Sequence, residues 1–222
     1  FVCPYHAWSY SLDGKLKNIP GDKAFPDFNK NDNGLLQVDA VEKGGIVYVQ
    51  QEGLIGKDFI DNALDYFEPA QEMFDHGEVN DQTNWKLLTE TLLEGYHIKS
   101  LHKKTFFPYG LDNVNLVETF GPNSRVIFPF RRIEKLRELK PEDRKIDGTV
   151  TKVYHLFPNA SVSMLSKHSN LTVMEPIAPN EVKTITYSMV NFNSSGKIIS
   201  NQDAKKDLKF VNEQGQSEDR EA

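Results

Sequence analysis

Hydrophobic and polar positions along the chain change period twice. Residues 1 to about 52 carry closely spaced turn signals: Asp13-Gly14, Pro20-Gly21, Asn33-Gly34 and Gly44-Gly45. Short apolar runs lie between them and end in Ile46-Val47-Tyr48-Val49, the pattern of a small antiparallel β unit. From Gly56 to about Phe74, the residues Phe59, Ile60, Ala63, Leu64, Phe67 and Ala70 recur at helical spacing and predict a helix. A second helix is predicted from Asn84 to about Leu101. Strands then follow at 113–120 and 125–130, a short charged helix at 131–139, and further strands at 149–157, 161–167, 169–177 and 182–190. Their breakers are Pro158-Asn159, His168-Ser169 and Pro179-Asn180. Leu208, Phe210 and Val211 mark a last helix from about Gln202 to the end of the chain. Helices and strands are segregated, which predicts an α+β fold rather than alternating βαβ units.

Composition narrows the function classes. The 222 residues allow one large domain or two small ones. A formal charge of -6, with no long Lys/Arg block, argues against nucleic acid as a partner. No apolar stretch reaches the roughly 18–20 residues that span a bilayer, and no signal peptide is visible. The single cysteine, Cys3, excludes a disulfide framework and suits a reducing cytoplasm. The chain begins inside a motif and ends inside a helical pattern, and reads as a fragment cut at both ends.

Two stretches carry candidate chemistry. The run from Glu90 through Glu94, Tyr96 and His97 to His102 places two carboxylates and two imidazoles on the second predicted helix. Glu90, Glu94 and His97 stand at i, i+4 and i+7, on one face of a regular helix. An exposed face of an amphipathic helix has the same composition, so this reading stays open beside a metal site. Residues five apart differ by about 140° on an ideal helix. His97 and His102 can therefore converge only if the helix ends, or widens into a π turn, between Tyr96 and His102. Two histidines and one carboxylate with open positions are the signature of non-haem Fe(II) oxygenases. The other stretch is Cys3-Pro4-Tyr5-His6-Ala7-Trp8. One thiolate and one imidazole give half the Cys₂His₂ set of a Rieske [2Fe–2S] cluster. With no other cysteine, the chain should not assemble a cluster. His76 reads as a helix-end residue, His155 as a strand residue that could line a pocket, and His168 as a turn residue. The runs Phe106-Phe107-Pro108-Tyr109 and Phe128-Pro129-Phe130 read as core.

Together, the Cys-x-x-His-x-Trp loop and Asn84-Trp85-Lys86 … Glu94-Gly95-Tyr96-His97-x₄-His102 resemble the α subunit of a Rieske non-haem iron ring-hydroxylating oxygenase. The resemblance covers essentially the whole chain, as the C-terminal part of a Rieske domain (1–52) and a catalytic domain (53–222). Ala7 departs from the Gly that many members carry, and Glu94 from their Asp. The resemblance implies a helix-grip (START-like) catalytic domain, an antiparallel sheet covered by helices. It implies Cys3 and His6 as cluster ligands, and His97, His102 and Asp219 as ligands of a mononuclear Fe(II). Asp203 and Asp207 are alternatives to Asp219. Glu94 would bridge to the Rieske histidine of a neighbouring subunit, and Glu90 would stand near the iron. Tyr96 would either touch an iron ligand or pack. Further implications are O₂, electrons from NAD(P)H through a separate reductase or ferredoxin, a homotrimer with or without a β subunit, and an aromatic or other apolar small-molecule substrate. Rival readings are a monooxygenase of a quaternary amine, a helix-grip ligand-binding protein without catalysis, and a pure Rieske electron carrier. The 170 residues after the β unit, with their own His pair, count against the last.

Overall fold

Turn chemistry builds the first of two units in the computed structural model, which describes residues 1–221. That unit comprises Phe1–Lys43 and Val47–Gly56. The Cys3 N–H donates to Trp8 O at 2.8 Å and the Ala7 N–H to Cys3 O at 3.0 Å, closing the Cys3–Ala7 loop. Strands β1 (Ser9–Tyr10) and β2 (Leu16–Asn18) pair antiparallel beside it. Leu16 and Ile19 are buried, and the Trp8 ring meets Phe28 edge-on at 5.3 Å. Strands β3 (Asp39–Lys43) and β4 (Ile46–Gln50) form a hairpin across Gly44 and Gly45, whose φ values are 61° and 77°. A two-residue turn with both φ positive is the connection glycine permits most easily.

The tip of that hairpin, Gly44–Ile46, counts with the second unit, which runs on from Lys57. Its centre is a seven-stranded antiparallel sheet. The strands are β5 (Met73–Asp81), β6 (Leu116–Phe120), β7 (Asn123–Pro129), β8 (Val150–Leu156), β9 (Ala160–Met164), β10 (His168–Ala178) and β11 (Glu181–Val190). Their order is β5-β11-β10-β9-β8-β7-β6, so β6 to β11 form a meander and β5 closes the far edge. The helices are α1 (Lys57–Asp61), α2 (Trp85–Leu92), α3 (Asn201–Phe210) and α4 (Ser217–Glu221), the last two joined by a π turn at Val211–Gln216. Register puts Tyr154, Val162 and Leu171 in one row, and this face packs against Tyr66, Leu64, Phe67 and Ile46. The opposite face carries Met174, which accepts from Thr89 Oγ1 of α2 at 3.2 Å, and His168, whose Nδ1 meets Asp207 Oδ2 of α3 at 2.9 Å. Helices α2 and α3, which lead into the segments that carry the candidate site, thus cover one side of the sheet. The chain adopts the expected α+β class with an antiparallel sheet covered by helices.

Several expected elements differ. The 56–74 helix stops at Asp61, because Tyr66 N–H and Phe67 N–H donate to Gly44 O at 3.2 and 3.0 Å rather than to a helical ladder. Residues 73–81 form an edge strand instead, so His76 is a strand residue, its ring 5.0 Å from that of Tyr187. His168 opens β10 and is fully buried, not a turn residue. The charged helix is a 3₁₀ helix at Arg131–Glu138. Ala222, to which the last helix was extended, lies outside the described residues. Among the described residues no helix is long and apolar enough to cross a membrane.

Candidate metal centre

Helix α2 begins under an Asn84 cap, whose side chain accepts from Lys86 N–H at 2.9 Å, and ends at Leu92. The expected helix to Leu101 is therefore broken ten residues before His102, and no π widening is needed there. Glu94 restarts the chain. Its Oε2 accepts from the N–H groups of Tyr96 and His97, as an N-cap side chain does, and His97 O accepts from Ser100 and Leu101 N–H at 3.0 and 2.8 Å. Glu90 stays on α2 with an exposed side chain, so Glu90, Glu94 and His97 do not share a helix face. Tyr96 is 80% exposed, which counts against a packing role.

The break folds His97 back toward His102. Their rings lie 5.1 Å apart at 66°. Asp219 reaches between them from α4, its Oδ1 standing 2.9 Å from His102 Nε2 and 3.6 Å from His97 Nε2. The ligand atoms of all three residues lie within 4.8 Å of one another. Behind the rings stand two more carboxylates. His97 Nδ1 pairs with Glu94 Oε1, and His102 Nδ1 with Glu218 Oε2 at 2.7 Å. Thr105 Oγ1 donates to the same Glu218 oxygen at 2.7 Å. His102 is 1% exposed, and Phe106 lies against its ring at 4.9 Å.

Proton bookkeeping decides what this arrangement holds. A neutral imidazole that donates from Nδ1 presents a bare lone pair at Nε2. While both rings are neutral, two such lone pairs face Asp219 Oδ1, a buried oxygen then without a hydrogen bond. A proton on His102 Nε2 or a metal cation satisfies such a set of acceptors. Asp219 and Glu218 hold the His102 pKa above its usual value although burial pulls it down, and the His102 and Thr105 hydrogen bonds hold the Glu218 carboxyl below its usual range. Ligand atoms about 2.0–2.2 Å from one ion, at 90–120° to one another, stand about 2.8–3.8 Å apart. The two measured separations fit that span, and carboxylates behind both imidazoles are the usual orienting partners of ligating histidines.

The remaining residues singled out in the sequence lie elsewhere. Ser200 caps α3, accepting from Asp203 N–H and donating to Asp203 Oδ2, and Asp207 is taken by His168, so neither Asp203 nor Asp207 joins the cluster. His155 Nε2 lies 3.2 Å from Pro158 O. Cys3 is half-buried and His6 exposed in the first unit, and Ala7 holds φ at 59°, the left-handed conformation that favours glycine. Sequence reasoning missed Glu218, Thr105 and Phe106. The signal for Glu218 was its place beside Asp219: neighbours on a helix diverge by about 100°, so one acid can face an ion while the other reaches behind a ring.

Comparison with known proteins agrees with this geometry. Residues 71–221 match the family described as "Ring hydroxylating alpha subunit (catalytic domain)", and residues 1–29 match the Rieske [2Fe-2S] domain. The glycine betaine monooxygenase oxygenase subunit of Chromohalobacter salexigens is 34% identical over 108 residues, covering 46% of this chain and 24% of that protein. The large oxygenase component of the naphthalene 1,2-dioxygenase system of Pseudomonas putida is 24% identical over 237 residues, covering 86% and 52%. Among solved structures, a quaternary ammonium Rieske monooxygenase is similar with a TM-score of 0.72 at 15% identity, covering 99% of this chain and 60% of that one. The chain thus spans between a quarter and about half of these curated relatives. With most of its length matched by the catalytic-domain family, the chain belongs to the ring-hydroxylating oxygenase α subunits.

Proposed function

We propose that this chain contributes the oxygen-activating site of a terminal oxygenase, with His97, His102 and Asp219 holding a mononuclear Fe(II). The observation that carries the reading is the convergence of His97 Nε2, His102 Nε2 and Asp219 Oδ1, each imidazole backed by a carboxylate. When bound, the iron supplies O₂ activation at the coordination positions that three protein ligands leave open. The chain's own part is orientation. Glu94 and Glu218 fix both tautomers, so that each neutral ring presents its lone pair at Nε2, and Phe106 closes one side of the His102 ring. Glu94, 44% exposed, is assigned the bridging role toward a neighbouring subunit. Cys3 and His6 supply half the ligands of a Rieske cluster whose other Cys and His lie on a longer chain. The division into a Rieske part (1–52) and a catalytic part (53–222), a homotrimer, an NAD(P)H-dependent reductase and a cytoplasmic setting belong to the same proposal. Convergence of the three ligands also favours it over a ligand-binding protein without catalysis.

The reaction is hydroxylation of a small molecule. The similar proteins include a glycine betaine monooxygenase and a naphthalene 1,2-dioxygenase, so the substrate panel holds both quaternary amines and arenes. The test uses the full-length protein carrying this chain, with iron and acid-labile sulfide analysed together. Mononuclear iron is expected in excess of cluster iron, and His97→Ala should remove the excess while sparing the sulfide. Absence of that excess in the unaltered protein contradicts the proposal.

A further inference from the structure

Three consecutive residues of α4 point to three different places. Glu218 reaches His102 and Thr105, Asp219 the two Nε2 atoms, and Arg220 the sheet, with Arg220 Nε donating to Asp81 Oδ1 at 2.7 Å. Helix α4 is five residues long and continues from α3 through the π turn, so its direction depends on that irregular turn and on its side-chain anchors. Its side-chain anchors set where Asp219 stands. Of these, Glu218 is bonded to the segment that carries the histidines and moves with the site. Asp81 is different. It ends β5, pairs in register with Val182 of β11, is 11% exposed at its side chain, and takes a 3.5 Å contact from Thr184 Oγ1.

From this geometry we infer that Asp81 is a positioning residue for Asp219, acting through Arg220 to tie the carboxylate ligand to the sheet edge. The inference rests on the metal-binding reading above. Two effects of removing the pair have opposite signs, which makes it testable. Arg220 is a cation next to a cation site, so Coulomb repulsion alone would make Arg220→Gln bind a metal more tightly. A lost anchor would make it bind more weakly, because ligand geometry tolerates displacements of only about 0.5 Å. The ion pair is partly exposed at Arg220, 39% at the side chain, so its loss should barely move global stability.

The experiment titrates the metal-free chain with Co(II), followed by its visible absorption, beside thermal unfolding of the same metal-free samples. Arg220→Gln and Asp81→Asn should each weaken Co(II) binding roughly tenfold. The double variant should be no weaker than either single one, Arg220→Lys should lie closer to the unaltered chain, and Tm should stay nearly constant. Binding by Arg220→Gln as tight as, or tighter than, that of the unaltered chain overturns the inference, as does weakening that merely tracks a loss of Tm. Failure of the unaltered chain to bind Co(II) overturns the metal-binding reading as well, whereas normal binding with an indifferent Arg220→Gln overturns only the positioning role.

Discussion

Protonation is the residue-scale key to the site. His102 is enclosed by protein, and burial alone would lower its pKa; the hydrogen bonds and charges of Asp219 and Glu218 outweigh that and raise it above 6.5. A raised pKa means that the protonated ring stabilises the metal-free fold below its ordinary value, and that this contribution is lost as pH rises through the raised value. A metal needs the same Nε2 bare, so proton and ion compete. Apparent metal affinity of the chain should therefore climb with pH, by up to about tenfold per unit, and level off only above the raised His102 value. Titrations from about pH 6 to pH 8 check this, and a flat profile would contradict it. Much of this scale was legible in the sequence. His97 and His102 were singled out from their spacing and Asp219 from the family resemblance, and the three lie together. Glu90, which the resemblance placed near the iron, carries an exposed side chain on α2. Thr105 was invisible because a hydrogen bond behind a ring depends on distant backbone, which no local pattern encodes, and Glu218 was signalled only by its place beside Asp219.

At the scale of elements, irregular backbone places the ligands. Helix α2 stops at Leu92, Gly95 lies so close to Asn115 and Phe128 that an added Cβ would meet them at 3.0 and 3.2 Å, and Glu94 caps the new turn. Of the two devices that the sequence allowed before His102, a helix end or a π widening, the chain uses the helix end there, and a π turn stands at Val211–Gln216, between α3 and the α4 that carries Asp219. Gly215 in that turn faces Phe106, and a Cβ there would stand 2.3 Å from the ring. Phe106 in turn lies on His102, so Gly215→Ala should push this brace into the site. Overpacking of that kind costs about 1–3 kcal/mol, which urea denaturation of the metal-free chain would register; stability equal to that of the unaltered chain would contradict the stacking argument. Alternating strands were read correctly from 113 to 190, where one face is buried. Strand β5 was missed because an edge strand, with Asp75, His76, Glu78 and Asn80 exposed, has no apolar alternation to read. The helix expected at 56–74 failed for a tertiary reason: its apolar residues are spaced for a helix, but a carbonyl of the Gly44 turn captures their backbone.

On the scale of the whole molecule, the second unit takes in a short stretch, Gly44–Ile46, that lies apart from its continuous run from Lys57. Gly44–Ile46 is distant in sequence from the sheet, yet Ile46 packs against the Tyr66–Tyr154–Val162 cluster and Gly44 O holds two N–H groups. A chain begun at residue 53 loses these contacts. It should be less stable than one begun at residue 39, by about 1–3 kcal/mol for the lost apolar burial, as compared by urea unfolding. Equal midpoints and slopes would show that the hairpin tip contributes nothing to the second unit. The central claim is that three residues from two distant segments of this unit form one metal site. Its most direct measurement is Co(II) titration of the metal-free chain and of His97→Ala, His102→Ala, Asp219→Ala and Asp203→Asn. The account predicts one tight site that is lost or weakened at least a hundredfold in the first three variants and unchanged in Asp203→Asn. Retention of tight binding by Asp219→Ala, or its loss in Asp203→Asn, would contradict it.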